Sequence, residues 1–129
     1  MKTVLLFVAI LLLTTTFSYS KTINLETIPS DLTVKKGDNI VFKLKENPST
    51  GFSWTINIQN PEDNEVLIKT KEAYKPEKRN RTLVGVGGTI AYTIKAQNKG
   101  TATISGYYSR PWEKNTPPIK EYKINITVK

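Results

Sequence analysis

The feature that most constrains the fold of this chain is an alternation of apolar and polar residues, repeated in short segments. It is most regular in segment 121–128, where Tyr122, Ile124, Ile126 and Val128 alternate with charged or polar residues. Successive side chains of a β-strand point to opposite faces, so this pattern predicts a strand with one buried and one exposed face. No segment after residue 20 has a convincing helical period.

Strand-like alternation recurs along the rest of the chain, with turn-forming residues between the segments. The further candidate strands are 23–34, 39–45, 53–58, 66–71, 89–95 and 101–108. Turn signals with Gly, Pro, Asn and Asp occur at 36–38, 60–63 and 98–100. About seven short strands with regular turns predict an all-β fold, an antiparallel β-sandwich, with Trp54 in its core.

The first 20 residues are expected to be a secretory signal peptide, separate from the fold. Lys2 gives a short basic start, 4–13 is apolar, and Ser18-Tyr19-Ser20 places small residues at the cleavage positions. The alternative, a membrane anchor, is disfavoured because the apolar run is shorter than the roughly 20 residues that span a bilayer. We therefore expect one domain, 21–129, in the secretory pathway: in lysosomes, phagosomes or other vesicles, or outside the cell.

Composition excludes several kinds of chemistry. The 129 residues include no His and no Cys, which removes Ser-His-Asp and Cys-His catalysis and Cys- or His-ligated zinc. The acidic residues Glu62, Asp63 and Glu65 are clustered in one turn, a spacing typical of a solvated turn and unlike that of an EF-hand loop. We expect no enzymatic activity, no metal and no cofactor.

The charge balance is basic, with 19 Lys and Arg against 11 Asp and Glu. A secretory signal and the lack of RNA-binding or zinc-finger patterns argue against nucleic acid as the partner. A basic surface would instead steer the domain toward acidic partners. The other interpretation, a lysine-rich surface that only confers solubility, stays open.

Three turn-forming segments lie between the predicted strands, and we name them the first loop (47–52), the glycine loop (85–88) and the tryptophan loop (110–112). Pro48 fixes its own φ and holds Asn47 extended, and Gly51 allows a positive φ. The glycine loop exposes bare backbone to a partner in extended form. Trp112 falls outside the strand alternation, and Trp and Arg are enriched at binding hot spots.

Together these loops resemble the chagasin-type inhibitors of papain-like cysteine proteases, which include the amoebiasins. That family carries Asn-Pro-Thr/Ser-Thr-Gly-Phe/Tyr, Gly-x-Gly-Gly and Arg-Pro-Trp/Phe loops, in this order, on an immunoglobulin-like sandwich. The chain departs from the commoner pattern only in Ser49, which keeps the hydroxyl of Thr and loses a methyl group.

The resemblance implies a reversible inhibitor that blocks the protease cleft with a three-loop wedge and is not cleaved. The first loop would enter the centre of the cleft, the glycine loop would pair with main chain on the unprimed side, and Trp112 would stack on the primed side. The implied partners are papain-like cysteine proteases, endogenous or host, and we expect a monomer. The implied contact residues are Asn47, Pro48, Ser49, Thr50, Gly51, Phe52, Leu83, Val84, Gly85, Val86, Gly87, Gly88, Arg110, Pro111 and Trp112.

An immunoglobulin-like adhesion or carbohydrate-binding module is the alternative, because one fold supports many functions. Carbohydrate modules usually carry aromatic residues on a strand face, whereas here Trp112 is on a loop. Two N-glycosylation sequons also occur, at Asn80 and Asn125. Asn125 is expected on the outward face of the last strand, and a glycan on Asn80 would crowd the glycine loop, which makes Asn80 the less favoured acceptor.

Overall fold

The computed structural model of the chain describes residues 20–77 and 87–129. These residues form eight strands and one short 3₁₀ helix. In chain order they are β1 (Thr22–Leu25), β2 (Asp31–Val34), β3 (Asn39–Glu46), the 3₁₀ helix (Pro48–Thr50), β4 (Ser53–Gln59), β5 (Leu67–Pro76), β6 (Gly88–Ala96), β7 (Gly100–Ser109) and β8 (Lys120–Val128).

The strands pair into two four-stranded sheets, which we call sheet A (β1-β3-β6-β5) and sheet B (β2-β8-β7-β4). The long pairings, β3 with β6, β5 with β6, β4 with β7 and β7 with β8, are antiparallel. The fold class predicted from the sequence is confirmed. Segment 23–34, expected as one strand, is divided between the two sheets, and its halves pair in parallel with β3 and β8.

A break at residues 26–30 explains this division. Pro29 cannot donate to a sheet, and the carbonyl of Ser30 accepts from the backbone N–H of Asn125 (2.8 Å) as the chain joins sheet B. The chain keeps its direction as it crosses between the sheets. β1 therefore pairs in parallel with β3 at the edge of sheet A, and β2 pairs in parallel with β8 at the edge of sheet B.

The core lies between the sheets and consists largely of the inward residues predicted by the alternation. Tyr122 is the exception: it lies on the inward side, stacked on Trp54, but is 38% exposed at the margin of the core. Ile40, Phe42, Tyr92 and Ile94 from sheet A are almost fully buried. Trp54 of sheet B is 7% exposed, which confirms its predicted core position. Its ring stacks on Tyr108 (4.9 Å between ring centroids) and Tyr122 (5.2 Å).

Two polar side chains tie the segments that flank the strands to this core. The buried carboxylate of Asp38 accepts backbone N–H groups from Lys21 (3.2 Å) and Lys35 (2.9 Å). The side-chain amide of Asn60 accepts from the N–H of Leu67 (2.9 Å) and donates to its carbonyl (3.0 Å), which links the end of β4 to the start of β5. Among the described residues, no helix is long and apolar enough to cross a membrane.

Candidate functional site

The described parts of all three loops lie at one end of the sandwich. The first loop follows β3, the glycine loop leads into β6, and the tryptophan loop follows β7. Pairing of Glu46 with Gly88, and of Trp54 with Tyr108, brings these strand ends together. Leu83, Val84, Gly85, Val86 and the sequon residue Asn80 lie outside the described residues, so Gly87 and Gly88 represent the glycine loop here.

The first loop begins with an Asn47 side chain that caps the turn after it. Asn47 is extended (φ −125°, ψ 91°), as the following proline predicted, and residues 48–50 form the 3₁₀ turn. The Asn47 Oδ1 atom accepts from the backbone N–H of Ser49 (3.3 Å) and from its hydroxyl (2.5 Å). This cap fixes the direction in which Ser49 leaves the turn.

Thr50 and Gly51 complete the loop. The Thr50 hydroxyl donates to the carbonyl of Asn47 (2.7 Å) and accepts from the N–H of Phe52 (3.4 Å). Gly51 has φ +81° and donates its N–H to the carbonyl of Pro48 (3.0 Å), which confirms the predicted left-handed position. Ser49 and Thr50 are exposed at the tip, yet both hydroxyls are already hydrogen-bonded within the loop.

Trp112 covers Gly51 and so joins the tryptophan loop to the first loop. A Cβ atom on Gly51 would overlap Cη2 of the indole and lie 2.9 Å from Cζ2. The remainder of the Trp112 side chain faces solvent, and the residue is 66% exposed. Gly51 therefore satisfies two demands, a left-handed backbone and room for an aromatic ring, of which the sequence revealed only the first.

Arg110 holds the same two loops together from the side. Its Nε donates to the carbonyl of Thr50 (3.2 Å), its guanidinium lies 4.4 Å from the centre of the Phe52 ring, and an Nη atom pairs with Glu113 (3.2 Å). The sequence indicated Arg110 as a contact residue only. Its role as a brace for the first loop, and that of Glu113 in orienting it, depend on the fold.

Gly87 and Gly88 are packed against neighbouring strands. A Cβ atom on Gly87 would lie 2.9 Å from the carbonyl oxygen of Glu46, and one on Gly88 would lie 2.6 Å from the Tyr74 hydroxyl. The carbonyl of Gly87 accepts from the N–H of Glu77 (3.2 Å). The sequence assigned these glycines a role toward a partner. The structure adds an internal one, because only glycine allows β6 to begin so close to β3 and β5.

Below the loops, buried side chains fix their bases. The Tyr108 hydroxyl accepts from the N–H of Asn47 (3.2 Å), and the Tyr108 ring packs on Phe52 (5.4 Å between centroids). The Glu46 carboxylate accepts from the N–H of Trp54 (2.8 Å), and the Trp54 indole donates to the carbonyl of Lys45 (2.9 Å). These bonds close the base of the first loop.

One titratable group near the base of the first loop has a shifted pKa. Burial raises the pKa of the Tyr92 phenol, and the carboxylates of Glu72 and Glu46 raise it further. Its hydroxyl is directed at the carbonyl of Trp54 (3.5 Å). Tyr92 therefore stays neutral and contributes packing.

The loop end also carries an exposed aliphatic residue that sequence reasoning missed. Ile119 is 58% exposed, and its N–H donates to the carbonyl of Tyr108 (2.9 Å), which places it directly before β8. Its position outside the alternation of 121–128 was the signal that could have identified it. Within the described ranges no group of three or more acidic side chains is placed to hold a metal ion.

Comparison with known proteins finds a matching family, similar sequences and a similar solved structure. Residues 33–126 match the model of a family described as chagasin family peptidase inhibitor I42. Amoebiasin-2 of Entamoeba histolytica is 33% identical over 98 residues, 76% of each chain, and chagasin of Trypanosoma cruzi is 33% identical over 82 residues, 63% of this chain and 73% of chagasin. The crystal structure of the cysteine protease inhibitor EhICP2 from Entamoeba histolytica superposes with a TM-score of 0.68 at 27% identity, covering 84% of this chain and 95% of EhICP2.

The contact between Gly51 and Trp112 can be tested with two alanine variants. Gly51→Ala and Gly37→Ala both place a side chain at a positive φ, but only Gly51 faces an indole, since nothing lies within 4 Å of a Cβ on Gly37. Each variant is expected to lower the free energy of unfolding by about 1–2 kcal/mol in urea denaturation. Only Gly51→Ala is expected to shift the Trp112 indole N–H resonance in an NMR spectrum; an unmoved resonance would show that the ring does not rest on Gly51.

Proposed function

We propose that this chain, which belongs to the chagasin family of peptidase inhibitors, inhibits papain-like cysteine proteases by inserting its three loops into their active-site cleft. The observation that carries the proposal is the set of contacts joining the loops: Trp112 lies on Gly51, Arg110 bonds Thr50, and Gly87 packs on Glu46. Because these contacts fix the loops relative to one another, the loops can enter a cleft together.

The first loop is assigned to the centre of the cleft, because the other two loops flank it. Ser49 and Thr50 stand exposed at its tip. Their hydroxyl oxygens keep acceptor capacity beyond the bonds they donate within the loop. We therefore assign them to the neighbourhood of the catalytic Cys and His of the protease, with the glycine loop on the unprimed side and Trp112 on the primed side.

The loop geometry explains how an inhibitor of this kind resists cleavage. Peptides recognised by strand addition bind in an extended conformation. Residues 48–50 instead form a 3₁₀ turn, and Gly51 is left-handed, held by bonds from Asn47, Thr50 and Arg110. The scissile geometry of a substrate would require these bonds to break, so the loop fills the site without presenting a cleavable strand.

The same internal bonds favour tight binding. Association costs free energy when flexible side chains and loops become ordered, about 0.5–1.5 kcal/mol for each immobilised side chain. In the first loop the cap by Asn47, the Thr50 bonds and the Arg110 brace form without a partner. Much of that ordering cost therefore falls on folding and not on binding.

Inhibition of papain by the purified protein tests the proposal. The wild type is expected to inhibit reversibly, and Trp112→Ala is expected to weaken inhibition by about 2 kcal/mol, the usual scale of a hot spot. Trp112→Phe keeps an aromatic surface and should recover part of that loss. Ser49→Ala with Thr50→Ala, which removes the tip hydroxyls and the Thr50 bonds, should weaken inhibition as well.

A double variant at exposed threonines of β1 and β7, Thr22→Ala with Thr101→Ala, is the matched control and should inhibit like the wild type. Circular dichroism would establish that each variant is folded. A folded wild-type protein that inhibits neither papain nor other papain-like proteases would contradict the proposed function. Equal inhibition by the loop variants would contradict the loop assignment alone.

We further propose that the protein acts in the secretory pathway, as a monomer starting at Lys21, and that Asn125 carries an N-linked glycan. Asn125 is exposed on β8; its amide donates to Asp31 (3.3 Å) and accepts from the Thr103 hydroxyl (3.2 Å). It lies five residues along β8 from Lys120, which pairs with Tyr108 at the loop end. A glycan there would leave the loops accessible.

The mass of the protein secreted by a eukaryotic host, with and without glycosidase treatment, tests this assignment. We expect a chain beginning at Lys21 whose glycan is lost in Asn125→Gln and retained in Asn80→Gln. An unprocessed N-terminus would contradict secretion by cleavage of the leader, and an unmodified wild-type chain would contradict glycosylation.

A further inference from the structure

The outward face of sheet A carries an accumulation of positive charge that protease inhibition does not use. The strand register places Lys43 and Lys45 of β3, Lys71 and Lys75 of β5, and Lys95 of β6 on this face, opposite the core residues between them. All five lysines are exposed. At the outward positions of the four strands of sheet A there is no Asp or Glu.

Four of these lysines are arranged as two rows with a lower floor between them, and Lys95 lies at one end of that floor. The β3 row (Lys43 and Lys45) and the β5 row (Lys71 and Lys75) flank β6, so the rows are about 10 Å apart, twice the spacing of neighbouring strands. The outward residues of β6 between them are the short side chains Thr89, Ala91 and Thr93. Long side chains on both sides of short ones form a trough, which we call the lysine trough.

Within the described part of the fold, few carboxylates lie near the lysine trough. The ion pairs recorded among these residues, Lys69–Glu72 and Arg110–Glu113, use none of its five lysines. Lys69 and Glu72 belong to the opposite face of β5, as the approach of Lys69 to the Tyr92 ring (6.0 Å) shows. Two carboxylates lie at its margins: Glu26, just beyond β1, lines a shallow depression with Lys43, and Glu77, just after β5, lines another with Lys45.

We propose that the lysine trough binds a single linear polyanionic glycan, a chain bearing sulfate or carboxylate groups along both edges. Lysine is a compact cation with three donors, suited to sulfate and carboxylate oxygens, and the Thr89 and Thr93 hydroxyls of the floor can bond to sugar hydroxyls. A width of about 10 Å admits one extended chain between two rows of ammonium groups.

Other polyanions fit this surface less well. Single-stranded nucleic acid is bound through aromatic side chains that stack on its bases, and the trough has none, because Tyr74 and Tyr92 lie on the inward face. A flat anionic membrane would contact the lysine rows and leave the floor unused. A narrow chain with charges on both edges uses the rows and the floor together.

The trough and the proposed inhibitory loops are neighbouring surfaces, since Lys45 at the end of the trough lines a depression with Asn47 and Gly87. The trough occupies the outward face of sheet A and ends at the row Lys45–Thr89–Lys75, one residue before Glu46 and Gly88 at the loop end. This inference does not rest on the proposed function. A glycan in the trough would retain the protein at a cell surface or matrix and leave the loops accessible.

Heparin, as an immobilised sulfated glycan, tests the proposal on the intact purified protein. A quadruple variant, Lys43→Gln with Lys45→Gln, Lys71→Gln and Lys75→Gln, is compared with a control of equal net charge, Lys36→Gln with Lys99→Gln, Lys114→Gln and Lys123→Gln. All eight lysines are exposed. At an ionic strength of about 0.15 M, the trough variant is expected to bind heparin at least ~10-fold more weakly than the control.

Polyglutamate and anionic phospholipid vesicles serve as the competing probes, and circular dichroism checks that both variants are folded. Equal loss of heparin binding in the two variants would overturn the proposal, because net charge alone would then explain the affinity. Tighter binding to polyglutamate or vesicles than to heparin would also overturn it, in favour of an acidic polypeptide or a membrane.

Discussion

Two hydrogen bonds that join Trp54 to the end of β3 hold the base of the loops that we propose to be inhibitory. The first loop is where the chain leaves sheet A and enters sheet B, and it must do so within six residues. The Glu46 carboxylate accepts the N–H of Trp54, and the Trp54 indole donates to the carbonyl of Lys45. These two bonds close the base of the loop across the gap between the sheets.

Further hydrogen bonds hold the remainder of the first loop above that base. The backbone N–H of Asn47 donates to the Tyr108 hydroxyl, and the Asn47 side chain caps the turn that follows it. Arg110 then reaches the carbonyl of Thr50 from the side. The fold therefore shapes the loop in the absence of a partner, as its proposed entry into a protease cleft requires. The chagasin-family assignment and this geometry support the same conclusion from different observations.

Local sequence rules predicted the fold class and the individual loops, but not how the loops are joined. Alternation identified the core strands, Pro48 the extended Asn47, and Gly51 the left-handed turn, since each depends on one or two neighbouring residues. The Gly51–Trp112 contact and the Arg110–Thr50 bond join residues about 60 positions apart, which only the strand pairing brings together. The division of segment 23–34 was missed for the same reason, because alternation does not show which sheet a strand joins.

The placement of positive charge on the protein also depends on strand pairing. Composition showed a basic chain, but the placement of five lysines on one face of sheet A, with small residues between their rows, appears only when the register of β3, β5 and β6 is known. The fold thus presents two surfaces with proposed partners: the loop end for a protease cleft and the outward face of sheet A for a linear polyanion.

Hydrogen–deuterium exchange of the protein, alone and bound to papain, would locate the surface that contacts the protease. We predict slower exchange of backbone amides in segments 47–52, 87–88 and 110–113, and unchanged exchange of the amides of outward strand residues in both sheets. Protection confined to a sheet face, with these loop amides exchanging as in the free protein, would contradict this prediction.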